Sequence, residues 1–147
     1  MLIYKMNKKR GFTLIELLVV LSIIGVIMAF SFVGFSQARK SARDTKRKAD
    51  LEQIRSALEI YRTDCKTYPT TITPGSPLVG AAAICAGNTY MSAVPADSTT
   101  GQSYYYSGST NSYTLCAYLE TLGVVSLTGC TNNCGSPNNC NYKTIQP

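Results

Sequence analysis

The chain has 147 residues, 45% of them hydrophobic and 15% charged, with 14 Lys+Arg against 8 Asp+Glu and a formal net charge of +6. That is enough chain for one domain and marginal for two, and it is too apolar for a disordered segment. There is no histidine, which excludes Ser-His-Asp and Cys-His catalysis and every His-ligated metal site.

The charge is unevenly placed. Residues 1–11 carry Lys5, Lys8, Lys9 and Arg10 and no acid. Glu16 is then the one charge from Phe12 to Ser36. Leu17 to Phe35 is 19 residues without a charge, and roughly 20 apolar residues span a bilayer core. The run is too long for the apolar region of a secretory signal peptide, and no A-x-A-like site follows it before Gln37. We therefore read a membrane span. Basic residues flank both ends (Arg39, Lys40, Arg43, Lys46, Arg47 and Lys48 on the far side), so the positive-inside rule does not orient it. The cysteines do. All six (Cys65, Cys85, Cys116, Cys130, Cys134 and Cys140) lie in a charge-poor, Ser/Thr/Asn/Gly-rich second half, which reads as a disulfide framework in an oxidising compartment. Their spacings are not the CxxC pairs of zinc ribbons. The carboxyl-terminal part is thus expected outside and residues 1–11 inside. A carboxylate within a membrane helix costs about 2.5–3.5 kcal/mol on insertion scales, so Glu16 calls for a partner cation or a place at the interface.

The string Lys9-Arg10-Gly11-Phe12-Thr13-Leu14-Ile15-Glu16, opening a long apolar helix, resembles the leader and mature start of type IV prepilins and of type II secretion pseudopilins. The resemblance covers residues 5–65 closely and the remainder loosely. It implies an α+β, pilin-like fold: a long N-terminal transmembrane helix packed on a small antiparallel sheet with disulfides. It implies cleavage by a prepilin peptidase between Gly11 and Phe12, N-methylation of Phe12, and pairing of Glu16 with the amino terminus of a neighbouring identical or related subunit on an inner-membrane assembly platform. The divisions that follow are a leader at 1–11, a transmembrane or filament-core half-helix at 12–36, an amphipathic half-helix at 37–66 and an extracytoplasmic head at 67–147. The chain departs from many relatives in lacking a proline midway through the apolar helix, where it has Val33 and Gly34.

No Pro or Gly occurs between Gln37 and Lys66, and Leu51, Ile54, Leu58, Tyr61 and Cys65 form one stripe at helical spacing. The pattern predicts one helix from Phe12 to about Asp64, with i,i+4 pairs Lys48–Glu52 and Arg55–Glu59. The cluster from Arg39 to Lys48 lacks interleaved aromatics and is read as a solvated face near lipid headgroups rather than a nucleic-acid site, DNA contact being the alternative. Pro69 forces Tyr68 out of helical geometry and ends the helix.

Beyond it, residues 70–100 read as loop with a short helix at Ala81–Ala86, and residues 102–107 and 112–120 as a hairpin. Val124–Leu127 is expected as a third strand, and the tail Cys130–Cys140 is expected to be held only by its bridges. The turn back after Pro69 favours Cys65–Cys85; the other pairings stay open. The tract at Tyr68-Pro69 and the loop Pro95-Ala96-Asp97 resemble major pseudopilins, which often bind calcium nearby. Calcium takes 6–8 oxygens, and beyond residue 66 the acids are Asp97 and Glu120, so no metal or other cofactor is expected. No enzyme activity is expected either. The leading expectation is a structural subunit of a type IV pilus. The alternatives are a type II secretion pseudopilin or a minor tip subunit that binds DNA or a surface.

Overall fold

The computed structural model describes residues 11–123, 127–130, 134–135 and 139–144, with the backbone alone for residues 30–33. One helix, α1, runs Leu14–Cys65. It passes through Gly25 and Gly34 without a break. Its first turn is closed by a capping box. The Thr13 hydroxyl accepts from the Glu16 amide at 3.3 Å, and the Glu16 carboxylate accepts from the Thr13 amide at 2.8 Å. Its last turn ends at Lys66, which takes a left-handed φ of 62°. The Lys66 amide donates to the Arg62 carbonyl, and its ammonium donates to the Thr63 carbonyl at 2.7 Å.

The chain divides into two compact units, at residues 1–38 and 39–147. In the described part of the first, the apolar side chains from Phe12 to Met28 are all exposed. This segment is long and apolar enough to cross a membrane, by length and composition.

The second unit is the second half of α1 with two small antiparallel sheets. The hairpin β1 (Leu78–Val79) and β2 (Thr89–Met91) lies in the stretch that the sequence pattern assigns to loop. The expected helix at Ala81–Ala86 is instead the turn joining these strands, closed by the Cys85 amide on the Ala82 carbonyl. The larger sheet has the order β3–β4–β5, with β3 at Tyr105–Gly108, β4 at Tyr113–Ala117 and β5 at Tyr142–Thr144. The expected hairpin is β3–β4, shorter at both outer ends, with Gly108 opposite Tyr113. The third strand is β5, paired with β4 from Leu115–Thr144 to Ala117–Tyr142. Of the expected strand at Val124–Leu127, residues 124–126 lie outside the described residues.

β4 is central and buried on both faces, so its alternation has two hydrophobic destinations. Leu115 and Ala117 join Leu51, Ile54, Leu58 and Tyr61 of α1 in the main core. Cys116 faces Cys134 and Cys140 on the other side. The disulfides are Cys65–Cys85, Cys116–Cys130 and Cys134–Cys140. The tail is held by more than its bridges. The Ser103 amide donates to the Cys134 carbonyl at 3.1 Å. Gly135 has a φ of +109° and packs so close to the Gly101 carbonyl that a Cβ would collide with it.

Tyrosines link the core to its rim. Tyr68 and Tyr113 meet edge to face at 4.8 Å, and both hydroxyls donate to Glu59. Glu59 is therefore engaged by tyrosines, and Arg55 pairs with Glu52 at 3.1 Å instead of with Glu59. Lys48 lies over the Tyr142 ring at 5.6 Å rather than on Glu52.

Leu58 is 0% exposed in this core whereas Ile60, two residues on, is 56% exposed. Leu58→Ala is expected to destabilise the detergent-solubilised protein by about 2–5 kcal/mol, and Ile60→Ala by less than about 0.5 kcal/mol, in urea unfolding. Equal effects would contradict this packing.

Candidate functional site

Two charged sites stand out, one in each unit. At the start of α1, Gly11 and Phe12 precede the helix, and Phe12 is fully exposed. Glu16 is exposed, and its carboxylate also accepts from the Thr13 hydroxyl at 2.7 Å. Thr13 was not singled out by sequence reasoning, although Thr-x-x-Glu before an apolar run is the signature of a capping box. The local chemistry is simple: an N-terminal helix turn, where backbone amides favour an anion, carries a carboxylate on an otherwise apolar surface.

The second site lies in the second unit and was not foreseen. The stripe of α1 does not begin at Leu51 but continues back through Arg47 and Asp44, at the same spacing and also buried. Arg47 is 1% exposed. All five of its N–H donors are used. Nε and Nη2 form a fork on Asp97 at 2.6 and 3.2 Å, and Nη2 also donates to the Thr99 hydroxyl at 2.9 Å. Nη1 donates to Asp44 at 2.8 Å and to Glu120 at 2.9 Å.

The carboxylates are fully engaged in turn. Asp44 accepts from the amides of Glu120 and Thr121 and from the Thr121 hydroxyl, at 2.9, 2.8 and 2.7 Å. Glu120 accepts a second fork from Arg43 at 2.6 and 2.5 Å. Asp97 accepts from the Thr99 amide at 2.8 Å. The turn carrying Glu120 is itself pinned by buried Asn141, whose amide group bonds both the Leu119 amide and the Leu119 carbonyl, at 2.6 and 2.8 Å. The cluster Arg39–Lys48 is thus split: Asp44 and Arg47 are buried in the head, Arg43 pairs with Glu120 at its rim, and Lys40, Lys46 and Lys48 remain exposed.

Charge and burial oppose each other here. Burial alone pushes the Asp44 carboxyl up, but the Thr121 hydroxyl, the two backbone amides and Arg47 outweigh it and hold it below its ordinary value of 3.8. The hydrogen bonds from Arg43 hold Glu120 below its ordinary value, against desolvation. For Arg47, burial works against the charge, and the bonds to Asp97 and Glu120 more than restore it.

A long apolar helix, a small antiparallel head and disulfides define the pilin-like class of α+β proteins. The family model for the prokaryotic N-terminal methylation motif matches residues 6–32, and that for type II secretion system protein G matches residues 35–121, more than half of the chain. The chain belongs to the type II secretion system protein G family. It is 36% identical over 67 residues to the type II secretion system core protein G of Vibrio cholerae, covering 46% of each chain. To the core protein G of Escherichia coli it is 37% identical over 65 residues, or 44% of this chain and 45% of the other. The Pseudomonas aeruginosa core protein G is 36% identical over 65 residues, or 44% and 46%. The chain thus spans about half the length of the curated relatives it matches. No solved structure matches. These likenesses favour the secretion pseudopilin over the pilus subunit that the sequence pattern placed first.

Because Asp44 and Glu120 have lowered values when folded, the stability they contribute is complete above about pH 5 and is lost as pH falls through those lowered values. Thermal melts followed by circular dichroism from pH 7 to pH 3 are expected to show this acid limb. Asp44→Asn is expected to melt lower at pH 7 and to show a shallower limb. An unchanged limb would remove Asp44 from the account.

Proposed function

We propose that this chain is a pseudopilin of a type II secretion system, held in the inner membrane by its apolar half-helix and assembled into a periplasmic filament. The observation that carries the reading is the protein G match over residues 35–121, directly following the methylation-motif match over residues 6–32. The leader stays cytoplasmic and the disulfide-bonded head is extracytoplasmic. A prepilin peptidase cuts between Gly11 and Phe12, and the new amino terminus of Phe12 is methylated.

The physics of assembly follows from α1. Its exposed apolar side chains need either lipid or other copies of the same surface. Passing from lipid to a bundle of related helices leaves them apolar-to-apolar. Glu16 then gives direction. In the isolated subunit its carboxylate rests on the amide and hydroxyl of Thr13. In the bundle a neighbour's cationic amino terminus supplies the opposite charge, and in a low dielectric each ion strongly favours the pair over isolation. That amino terminus exists only after cleavage at Gly11, so processing precedes assembly. The protein's role is mechanical and structural, with no reaction of its own.

The second reading is a subunit of a surface pilus, favoured by the three-disulfide head. Shearing cells and quantifying the tryptic peptide of residues 56–62 by mass spectrometry separates the two. The pseudopilin reading expects the peptide in the envelope, little in sheared fibres, and loss of protein secretion on deletion. Abundant recovery from long surface fibres with secretion intact would establish the pilus instead.

Glu16→Gln is expected to leave cleavage after Gly11 intact, read as the loss of the leader mass, while filament incorporation falls by roughly 100-fold or more. Normal incorporation of the uncharged variant would overturn the assigned role of Glu16.

A further inference from the structure

The major pseudopilins that the loop around Asp97 resembles often bind calcium nearby, and the residues present here do not fit that ion. Calcium takes 6–8 oxygens, carboxylates foremost. The candidate carboxylates here are Asp97, Glu120 and Asp44, and every one of their oxygens already accepts from a guanidinium, an amide or a hydroxyl. Among the described residues, no three of His, Cys, Asp or Glu are arranged to hold one ion. At the centre of these three carboxylates stands a cation that the chain supplies itself.

We propose that the Arg47 guanidinium is the resident cation of the head, doing for α1 and the two loops at residues 97–99 and 119–121 what a bound divalent ion would do, so that the folded head needs no calcium. Three features carry this. First, Arg47 gathers carboxylates from three separate places: its own helix turn (Asp44), the loop before β3 (Asp97) and the turn after β4 (Glu120). Only a multivalent hub joins three segments in that way, and a planar five-donor fork is one. Second, the centre of the hub is dry. The Arg47 and Asp97 side chains are each 2% exposed and that of Asp44 is 4%, so these charges depend on one another rather than on water, with Glu120 at 18% and Arg43 at 38% forming the rim. Third, the charge is nearly closed. Arg43 and Arg47 face Asp44, Asp97 and Glu120, one negative charge in excess, with the Thr99 and Thr121 hydroxyls completing the shell. A divalent ion added to this shell would have to break the existing forks to find ligands.

The inference concerns the stability of the isolated chain, so it stands or falls separately from the filament reading. The test uses the full chain purified in detergent. The wild-type melting temperature is expected to stay within about 1 °C when 5 mM EDTA or about 5 mM calcium chloride is added. Terbium, a luminescent calcium probe sensitised by nearby tyrosines, is expected to give no saturable signal at micromolar concentration. Arg47→Ala is expected to lower the melting temperature by roughly 10 °C or more. Arg47→Lys keeps the charge but not the fork, and is expected to lie between the two and stay indifferent to EDTA. The proposal is overturned by a wild-type melt that EDTA lowers or calcium raises, by saturable terbium binding, or by an Arg47→Ala protein that melts with the wild type. If Arg47→Ala does not fold at all, the EDTA, terbium and Arg47→Lys measurements still decide the matter.

Discussion

A guanidinium withdrawn from water is several kcal/mol worse off unless its donors are met by well-placed acceptors. Arg47 is withdrawn almost completely, and much of the head is arranged around it. Asp44 comes from one turn earlier on the same helix, which costs no topology. Asp97 and Glu120 come from loops far away in sequence, and those loops must therefore be built. The Thr99 amide and hydroxyl shape the first. Asn141, beside β5, pins the turn of the second. The helix and the two loops thus meet through one cation. The apolar core of Leu51, Ile54, Leu58 and Leu115 lies further along the same helical stripe. The two kinds of packing are consecutive stretches of one face, first ionic and then hydrophobic.

The same helix serves two environments. Its first half presents apolar side chains all round, which suits lipid or other helices and nothing aqueous. Its second half shows one buried stripe and one polar face, which suits a folded head in water. The charged residues near the changeover are of two sorts. Arg47 turns inward to the head and Arg43 reaches Glu120 from the rim, while the neighbouring lysines stay exposed. At the far end Glu16 holds a charge in the apolar half, satisfied within the isolated chain by the cap that Thr13 completes. Under the proposed assembly this carboxylate is satisfied in the monomer and exchanges that cap for a neighbour's cation, as a controlled polymerisation requires.

Much of this was legible in the residues. The apolar run, the stripe from Leu51 to Cys65, the stop at Tyr68-Pro69 and the hairpin at β3–β4 are local patterns, each set by a period or a turn residue. Cys65–Cys85 was the favoured bridge because the chain folds back there. The capping box is also a local pattern, Thr13-x-x-Glu16 before an apolar run. The two-residue and three-residue strands β1 and β2 are too short to show a period. β5 lies in a tail of Asn, Gly and Pro, where composition argues for loop, and it is a strand because β4 offers an edge and the Cys116–Cys130 disulfide ties the tail to β4.

The amino-acid sequence by itself determined the membrane-length helix, the amphipathic continuation, the disulfide-bearing head and the processing motif, since each depends on neighbours three or four positions apart or on composition. The tertiary structure decided which charges are inside. Asp44 and Arg47 obey the same helical spacing as Leu51 and Ile54, yet charged residues on a stripe read as solvated until their acceptors are found. Those acceptors, Asp97 and Glu120, lie 50 and 73 residues beyond Arg47. Only the folded chain, by bringing two distant loops to one helical turn, draws Asp44 and Arg47 out of what looks like a solvated basic face into the interior of the protein.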